Sequence, residues 1–534
     1  MQFIKYLYIS AFFFILLSFL LPHKLFFWQE LHQAIAAVLG SLLLATYSIL
    51  SQKKIKVDLI HYYLLLLVVV ISFHLFLARD YFAYTFIGIV YLSSFFFSYT
   101  FASNNRTIAL NYIFITLTAV CLASITMQIQ QASGDWINYT QWILEYDHEN
   151  SNRAYANIGQ PNILGSIYCT LTATAILNYI YRKITLSTCI ALSFPIEIGL
   201  SLSQSKTSIL ILIILSSLLF IKQKNRKFKY SSLLLLKMSI SILVINIFIT
   251  KSANAISNIT STTAISSSTE SRFEIWRIAI DSIAASPVLG YGFFNGGIAG
   301  FNQAAKDAPS FSALVSQFHS IILDYAIWFG IPLGSILIII PFFYLSKKII
   351  DYKKNYNSGI VISLPLIIHS TLEYPLYYGN TIALFGVLLG LSSTGNRKII
   401  RNKIFTMYLV IIFIICLFIA KELTSLEEYQ INQKLYFSNI NGANIQKINN
   451  IYMMDIPESF IHQLGHKKFE NLKPSDFQEM ERFSRHYSIP RNYEYIIKNK
   501  IIHEDFEAVD LWRKVQKKNF SHSFIFDSVE KPNN

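Results

Sequence analysis

Long apolar runs constrain this chain more than any other feature of its sequence. Residues 64–71, 209–220, 336–343 and 409–419 would present apolar side chains on almost every face of a helix. Such a helix is stable in lipid or deep inside a large protein, but not at a water-facing surface. Since 53% of the residues are hydrophobic and only 14% are charged, the sequence predicts an all-α polytopic membrane protein. It excludes a soluble enzyme fold for most of the chain.

Windows of about 20 apolar residues, the length that crosses a bilayer as a helix, predict about 12 or 13 transmembrane helices. The first window has no small-residue cleavage site at its end. We therefore expect it to be retained as a span rather than removed as a signal peptide. The windows lie near 3–22, 31–51, 58–78, 81–101, 107–128, 159–181, 184–202, 206–221, 232–250, 317–345, 357–377, 379–394 and 403–420.

Basic residues predict how these helices are oriented. Lys and Arg concentrate in alternate connections, above all at 53–56, 222–229, 347–354 and 397–403. Because basic loops stay in the cytoplasm, the N-terminus is predicted to lie inside and the C-terminus outside. The formal net charge of +14 is then explained by the basic cytoplasmic loops, and no nucleic-acid partner is expected.

This orientation places the long segments of the chain on the periplasmic face. They are the loops 129–158 and 251–316 and the tail 421–534. We predict a transmembrane domain over 1–420, with the large periplasmic loop 251–316 inside it, and a helical C-terminal periplasmic domain over 421–534. The short cytoplasmic connections carry no G-x-x-x-x-G-K-[ST] motif. Any chemistry should therefore be extracytoplasmic and independent of ATP.

Neither a metal nor another cofactor is expected. The four cysteines fall within apolar runs without CxxC or metal-ligand spacing, so we expect no disulfide and no zinc site. Residues 145–149 have the side-chain types of metal ligands. Adjacent ligands on an exposed loop are more often a solvated run of charges, which is the interpretation we adopt.

Two polar clusters at the predicted outer ends of spans could bind an anion or a substrate. Gln160, Pro161 and Asn162 open the sixth span, where the free N–H groups of a helix N-terminus attract anions. Simple helix capping would use the same residues. Lys206, between the seventh and eighth spans, could hold a phosphate as a point charge, although an ordinary interhelical turn looks the same.

The large loop contributes two arginines and a histidine. A helix is predicted to begin at Arg272 after a capping box and to lie on the membrane surface. Arg272 and Arg277 could neutralise a multiply charged anion, or they could snorkel to lipid headgroups. His319 precedes the tenth span, where the helix dipole favours the neutral imidazole, a competent general base. The alternative is a structural histidine. Asp324 lies off the helix face of His319 and is not expected to pair with it.

A fourth cluster closes the eleventh span. His369 and Glu373 are four residues apart, so they share a helix face and can pair. Pro375 then ends or kinks the helix. Ionisable residues in membrane spans are costly and usually functional. The alternative is a polar contact that merely holds two helices together.

Several segments together resemble a known superfamily. Residues 272–276, 286–292 and 319–334 are similar to the large periplasmic loop and following span of O-antigen ligases and polymerases. Residues 159–162, Gly-Gln-Pro-Asn, and 369–376, His-Ser-Thr-Leu-Glu-Tyr-Pro-Leu, resemble the signatures of bacterial protein O-oligosaccharyltransferases, the pilin-glycosylation ligases. The resemblance covers roughly residues 155–380, and the order and spacing are more specific than any single motif.

In that family a glycan on an undecaprenyl-diphosphate carrier is moved to a Ser or Thr hydroxyl of a protein, on the periplasmic side of the inner membrane. The resemblance implies that His319, Gln160 and Tyr374 are important for transfer and that Arg272 lies near the diphosphate. The family's Ser-Arg-Thr-like motif stands here with Lys206 in place of the arginine, so the bidentate fork is lost. The implied partners are the lipid-linked oligosaccharide, a pilin-like acceptor protein and membrane lipids.

These arguments assign roles to nine residues. A diphosphate-linked sugar carries its own activation, so the protein needs a base, cations for the departing diphosphate and groups that position the substrate. The assignments are His319 as the base; Arg272, Lys206 and Arg277 for the diphosphate; and Gln160, Asn162, Tyr374, Glu373 and His369 for the substrate.

Two other functions stay open. A ligase to lipid A core sugar, or an O-antigen polymerase, needs the same donor chemistry with a sugar hydroxyl as acceptor. The motifs at Gln160 and Tyr374 and the long tail favour a protein acceptor. A transporter would place ionisable residues near the bilayer midplane, whereas the polar clusters here are expected to gather at one face.

Overall fold

A computed structural model describes residues 2–22, 31–52, 54–77, 82–139, 142–144, 153–221, 225–256, 264–306, 315, 317–355, 358–393, 398–400, 402–437, 473–486 and 490–519. The described chain is all α apart from one short strand pair. Its helices are α1 Gln2–Leu20, α2 Leu31–Ser51, α3 Leu59–Leu77, α4 Phe82–Asn104, α5 Arg106–Ser133, α6 Pro161–Ile180, α7 Leu186–Ser203, α8 Lys206–Phe220, α9 Arg226–Ile256, α10 Ala264–Ala285, α11 Gly296–Ala304, α12 Ile321–Asn355, α13 Ser358–Leu372, α14 Gly379–Gly390, α15 Asn402–Phe437, α16 Pro474–Ser484, α17 Pro490–Ile502 and α18 Phe506–Asn519.

Each predicted span corresponds to a helix. Among the described residues, nine helices are long and apolar enough to cross a membrane, and four shorter apolar ones, in α3, α8, α13 and α14, fall at the remaining windows. Helices are the expected solution because lipid offers no partner to a free backbone N–H or C=O group. The prediction of an all-α polytopic membrane protein is confirmed.

The chain forms two compact units, each built from several separate segments. The predicted division at 420/421 does not coincide with a helix end, since α15 continues to Phe437. Unit 1 comprises Met1–Leu67, Val90–Thr262 and Ile340–Phe413; unit 2 comprises Val68–Ile89, Thr263–Ile339 and Ile414–Asn534.

Helix α6 lies at the centre of unit 1. All its residues from Asn162 to Asn178 are buried, polar ones included. The hydroxyls of Ser166, Thr170 and Thr174 donate to backbone carbonyls one turn earlier, at 2.7 to 3.2 Å. These hydroxyls can therefore be buried without an unsatisfied donor. A helix enclosed on all sides is a stable platform for residues at its ends.

A short antiparallel strand pair lies beside α3 and α15. Strand β1, Ile55–Val57, pairs with β2, Lys398–Ile400, with Ile55 opposite Ile400. The pair joins the connection before α3 to the connection before α15, so it ties two distant parts of unit 1 together.

In unit 2 the tail helices α16 to α18 pack on α11 of the large loop. The Phe301 and Trp512 rings lie 4.9 Å apart between centroids, and the guanidinium of Arg485 lies 6.0 Å from the Phe301 ring. A Cβ on Gly297 would come within 2.9 Å of the His486 backbone, so only glycine permits this approach. Burial, together with the charges of Arg482 and Arg485, lowers the pKa of His486 to about 3.

The loop helix α10 differs from the prediction at one end. It was expected to begin at Arg272, but it begins at Ala264 and ends at Ala285. The residues before Arg272 are helical despite their Ser and Thr content. The predicted end of the helix before Pro287 is correct, because a proline disfavours helical backbone in the residue that precedes it.

Candidate functional site

Buried amide side chains hold the segment that leads into α6. Gln131 accepts hydrogen bonds from the backbone N–H groups of Tyr155 and Ala156 at 3.1 and 2.8 Å. Gln128 donates to the carbonyl of Ala154 at 2.8 Å. Ala156 has a φ of 51°, a conformation that costs free energy in a residue with a Cβ. The backbone before α6 is therefore held in one conformation by side chains of α5.

Gln160 is the N-cap of α6. Its side-chain oxygen accepts from the backbone N–H of Ile163 at 2.9 Å, and Pro161 occupies the first helical position. Gly159 precedes it with a φ of 77°. The capping interpretation of this motif is thus correct for the Gln160 oxygen. The amide nitrogen of the same side chain is the group through which Gln160 could also contact a substrate.

The residues assigned to substrate at α6 and α13 bind one another as a ladder, which we call the α6–α13 network. Asn162 Nδ2 donates to Glu373 Oε1 at 3.1 Å. One turn along both helices, Ser166 Oγ and His369 Nδ1 lie 2.8 Å apart. His369 and Glu373 are fully or almost fully buried. The expected shared helix face of His369 and Glu373 is present, and it faces α6.

Arg153 belongs to this network and was missed in the sequence. Its Nη2 donates to Asn162 Oδ1 at 2.7 Å, and its Nε donates to the carbonyl of Ser203 at 3.1 Å. The Asn162 amide therefore stands between a guanidinium and the carboxylate of Glu373. Arg153 is the only Lys or Arg between residues 129 and 158, a signal that could have identified it.

Lys206 is the first residue of α8 and follows closely after Ser203, whose carbonyl accepts from Arg153. Ser205 is the N-cap, and its hydroxyl accepts from the Ser208 backbone N–H at 3.3 Å. Lys206 is exposed, while Ser205 and Thr207 are buried. A lysine at the first turn of a helix places its charge near free N–H groups. Such an arrangement suits an anionic ligand.

Tyr374 lies where α13 ends. It caps the short 3-10 turn Pro375–Tyr377, and its ring stacks on Tyr378 at 6.4 Å between centroids. The Thr381 hydroxyl donates to the carbonyl of Pro375. Tyr374 is half-buried, so its ring is fixed and part of its surface remains accessible.

Unit 2 carries the other three assigned residues. Arg272 is half-buried and Arg277 is exposed, both on α10. His319 lies just before α12 and is half-buried, with a φ of 53°. A left-handed histidine is uncommon, and such backbone conformations concentrate at functional sites.

Asp324 holds the segment that carries His319. Its Oδ1 accepts from the backbone N–H of Phe318 at 3.2 Å, and its own backbone N–H donates to Ser320. Asp324 and Phe318 are both buried. Asp324 therefore holds the backbone on both sides of the histidine, through its carboxylate at Phe318 and through its own backbone N–H at Ser320.

Two glycines join the large loop to α12. Gly290 and Gly330 have φ values of 69° and 73°, and Gly330 interrupts α12 with a kink. A Cβ on Gly290 would meet the carbonyl oxygen of Ile327 at 2.5 Å, and one on Gly330 would meet that of Val288. Only glycine combines this backbone conformation with so close an approach.

Six of the nine assigned residues lie in unit 1 and three in unit 2. Among the described residues, no group of three or more His, Cys, Asp or Glu side chains could hold a metal ion. Residues 145–149 lie outside the described part of the chain. The unit 1 residues are Gln160, Asn162, Lys206, His369, Glu373 and Tyr374; the unit 2 residues are Arg272, Arg277 and His319.

The expectation that polar clusters gather at one face is wrong. Lys237 Nζ lies 2.8 and 2.9 Å from the two carboxylate oxygens of Glu197, within α9 and α7. Each residue lies 11 positions after the start of its helix, about 16 Å along a span. The Glu197 side chain is 6% exposed and that of Lys237 is 58% exposed. The sequence missed this pair because the two residues lie on separate spans.

A further buried cluster, the α3–α4 network, surrounds Asp58 at the opposite end of the spans. The Tyr99 hydroxyl donates to Asp58 Oδ2 at 2.7 Å, the Ser393 hydroxyl donates to the same oxygen, and His61 Nδ1 lies 2.9 Å from Oδ1. Burial raises the pKa of the Asp58 carboxyl, but the hydrogen bonds and the His61 charge outweigh it and hold the pKa below its ordinary value.

Comparisons with known proteins decide between an enzyme and a transporter. The family model described as O-antigen ligase matches residues 189–338, and the model described as virulence factor membrane-bound polymerase, C-terminal, matches residues 359–454. The chain is 25% identical to the ComP-specific O-oligosaccharyltransferase of Acinetobacter baylyi over 403 residues, which cover 74% of this chain and 72% of that protein. These matches support the assignment of this chain to the O-oligosaccharyltransferase branch of the O-antigen ligase superfamily.

A second relative gives the same assignment over a shorter stretch. The general O-oligosaccharyltransferase of Acinetobacter baylyi is 26% identical over 121 residues, 22% of this chain and 21% of that protein. At the level of the family, these similarities support a glycosyl-transferring membrane enzyme. The two family models contain seven of the nine assigned residues; Gln160 and Asn162 precede them.

Proposed function

We propose that this protein transfers a preassembled glycan from an undecaprenyl-diphosphate carrier to a Ser or Thr hydroxyl of a periplasmic or pilin-like protein. The reaction takes place on the periplasmic face of the bacterial inner membrane. The α6–α13 network carries the proposal, because it fixes Gln160 and Tyr374, the two residues through which this chain resembles protein glycosylating ligases. The similarity to a ComP-specific O-oligosaccharyltransferase supports a protein acceptor.

The chemistry needs one base and several cations. The acceptor hydroxyl oxygen forms a bond to the anomeric carbon, the bond from that carbon to the diphosphate breaks, and the diphosphate leaves with the electron pair. We assign the hydroxyl proton to His319, whose contribution as a base would be about 10²–10⁴-fold in rate. Arg272, Arg277 and Lys206 would stabilise the charge that develops on the diphosphate.

The remaining assigned residues divide into two roles. Gln160 and Tyr374 are half-buried and would contact the substrate. Asn162, Glu373 and His369 are buried and bonded within the α6–α13 network. They would act by holding Gln160 and Tyr374 in place. Arg153 would act in the same way.

The residues outside the network have supporting roles. The large loop 251–316 would face the periplasm with the tail, and the division into a 1–420 transmembrane domain and a 421–534 tail domain remains our prediction. Membrane lipids and the lipid-linked donor would reach the enzyme from the bilayer.

The test is glycan transfer in bacterial cells that contain a lipid-linked oligosaccharide and a pilin-like acceptor but no ligase of their own. We expect the acceptor to be glycosylated by the wild type, and the product to fall at least about 100-fold with His319→Ala. His503→Ala is the matched control, because His503 is an exposed histidine of the tail. Membrane abundance is measured for each variant by immunoblot.

Two outcomes would change the proposal. Full glycosylation by a normally abundant His319→Ala variant would remove the base assignment. An unmodified acceptor together with longer or newly capped lipopolysaccharide would keep the superfamily and replace the protein acceptor by a sugar. The match to polymerase and O-antigen ligase models makes this second reaction the alternative.

A further inference from the structure

The loop helix α10 has three distinct faces. One face is buried against the rest of unit 2, one is apolar but exposed, and one is charged and exposed. Phe273 is 65% exposed and Ile280 is 60% exposed. At 100° per residue these two side chains fall on one side of the helix. The buried face comprises Ile275, Ala279 and Ser282, the exposed apolar face comprises Phe273 and Ile280, and the charged face comprises Glu274, Arg277 and Asp281.

The turn after α10 also exposes apolar side chains. Val288 is 65% exposed and Leu289 is 60% exposed. The tips of water-facing loops are normally polar, and contiguous exposed apolar residues indicate an interaction surface. We call Phe273, Ile280, Val288 and Leu289 the apolar strip.

Backbone hydrogen bonds fix the height of this turn along α12. Tyr291 N–H donates to the carbonyl of Ile327 at 2.8 Å, and Gly292 N–H donates to that of Trp328 at 3.0 Å. In return, the Ile331 N–H donates to the carbonyl of Pro287 at 2.7 Å. The tip of the turn therefore lies level with Ile331 and does not extend freely into the periplasm.

The level of Ile331 can be placed in the bilayer by counting along α12. Lys347 marks the predicted cytoplasmic boundary, and about 20 helical residues cross the hydrocarbon core. The 16 residues from Lys347 back to Ile331 all lie on one side of the Gly330 kink and rise about 24 Å. In a hydrocarbon core of about 30 Å, Ile331 therefore lies about 6 Å inside the opposite boundary. Ile331 is 48% exposed, so the tip of the turn lies beside an exposed apolar residue of a spanning helix.

We propose that the turn 286–292 is inserted among the acyl chains of the outer leaflet and that α10 lies flat on the bilayer. Phe273 and Ile280 then face lipid, while Arg277 and Asp281 face water and headgroups. The occupant of the apolar strip is lipid rather than a second copy of the chain, because the strip lies at the depth of the acyl chains. The insertion fixes the height of His319 above the membrane. This inference is independent of the proposed acceptor and reaction.

The depth of the strip can be measured with nitroxide labels in vesicles of phosphatidylethanolamine and phosphatidylglycerol. The full chain is used with Cys416→Ser, since Cys121, Cys169 and Cys189 are buried. Labels are introduced one at a time as Leu289→Cys, Val288→Cys and Ile280→Cys. The controls are Asp281→Cys on the charged face of α10 and Ile336→Cys, whose position in α12 is 53% exposed.

We expect the ratio of oxygen collisions to collisions with a water-soluble nickel chelate to be about tenfold higher at Leu289 than at Asp281. The Ile280 label should lie between Leu289 and Asp281, and Ile336 should be deepest. A Leu289 ratio equal to that of Asp281 would overturn the insertion. Protection of Leu289 and Val288 from both reagents at low protein density would also overturn it, by showing that protein covers the strip. If the label at Leu289 disrupts folding, the labels at Val288 and Ile280 test the insertion instead.

Discussion

The α6–α13 network and the α3–α4 network contain similar residue types but are built differently. In the α3–α4 network one carboxylate, Asp58, gathers donors from His61, Tyr99 and Ser393. In the α6–α13 network the Asn162 amide stands between Arg153 and Glu373. The first arrangement concentrates hydrogen bonds on a single charge, whereas the second spreads two opposite charges over a bridging amide.

This difference indicates different roles. Asp58 joins the start of α3 to Ser393 after α14, beside the strand pair, so it holds distant segments of unit 1 together. The α6–α13 network instead surrounds the backbone that carries Gln160 and Tyr374. Changes in the α3–α4 network should therefore reduce stability, while changes in the α6–α13 network should reduce transfer by molecules that remain folded.

We expect loss of the ion pair between Lys237 and Glu197 to give the largest change in stability. Lys237→Met leaves a buried carboxylate without its ammonium partner, which should reduce the free energy of unfolding by about 3–5 kcal/mol. Thermal unfolding in detergent measures the loss, with Lys229→Met as the exposed control. The double variant Lys237→Met with Glu197→Gln should recover most of it. An unchanged melting temperature in the single variant would contradict a structural role for the pair.

Removal of the Asp58 carboxylate tests whether the α3–α4 network stabilises the fold. Asp58→Ala deprives three donors of their acceptor, and we expect a loss of about 3 kcal/mol in the free energy of unfolding. Transfer per folded molecule should be unchanged. Asp135→Ala, an exposed carboxylate, is the matched control. A normally stable Asp58→Ala protein with impaired transfer would reverse the roles assigned to the two networks.

A negative charge added at the bridging amide tests whether the α6–α13 network supports transfer. Asn162→Asp places a carboxylate beside Glu373, and the repulsion should reduce transfer by about 5- to 100-fold, the equivalent of a coupling of 1–3 kcal/mol. Glu373→Gln added to this variant restores the charge balance with Arg153, so transfer should partly recover. Equal transfer by the single and double variants, at equal abundance, would show that Asn162 does not act through Glu373.

A fall in pH should reduce the contribution of the buried His486 of the tail to stability but not that of Asp58. The pKa of His486 falls from 6.5 to about 3 on folding. Its contribution is therefore complete above pH 6.5 and is lost progressively as the pH falls towards 3. At pH 5 the loss should be about 2 kcal/mol, while Asp58, with its lowered pKa, stays ionised. Melting temperatures of wild type and His486→Gln at pH 7.5 and 5 measure the difference. Equal acid sensitivity of both proteins would rule out His486 as the cause.

Much of the architecture could be predicted because each span is a local property of the sequence. Windows of apolar residues marked each candidate membrane helix among the described residues, and helix capping was one of the two interpretations of Gln160. Local patterns failed where the neighbouring context decided. The helix was expected to begin at Arg272, but α10 begins at Ala264, within the Ser- and Thr-rich stretch that precedes it.

The missed residues share a physical cause. Arg153 contacts Asn162 and Ser203, and Asp324 acts on a backbone N–H rather than on a side chain. Neither contact leaves a pattern in sequence spacing. Gly290 and Gly330 were noted only as parts of motifs, since their close approach exists only after the loop has packed against α12.

The sequence by itself determined that this protein is an all-α membrane protein, because lipid accepts only helices whose apolar length matches the bilayer. It also determined where several helices begin, through residues that cap their own N–H groups. Only the tertiary structure decided which polar groups meet. Asn162 and Glu373 are 211 residues apart, and Ser166 and His369 are 203 apart. Such pairs form when buried helices pack so that each buried polar atom gains a partner, a condition that no single stretch of sequence contains.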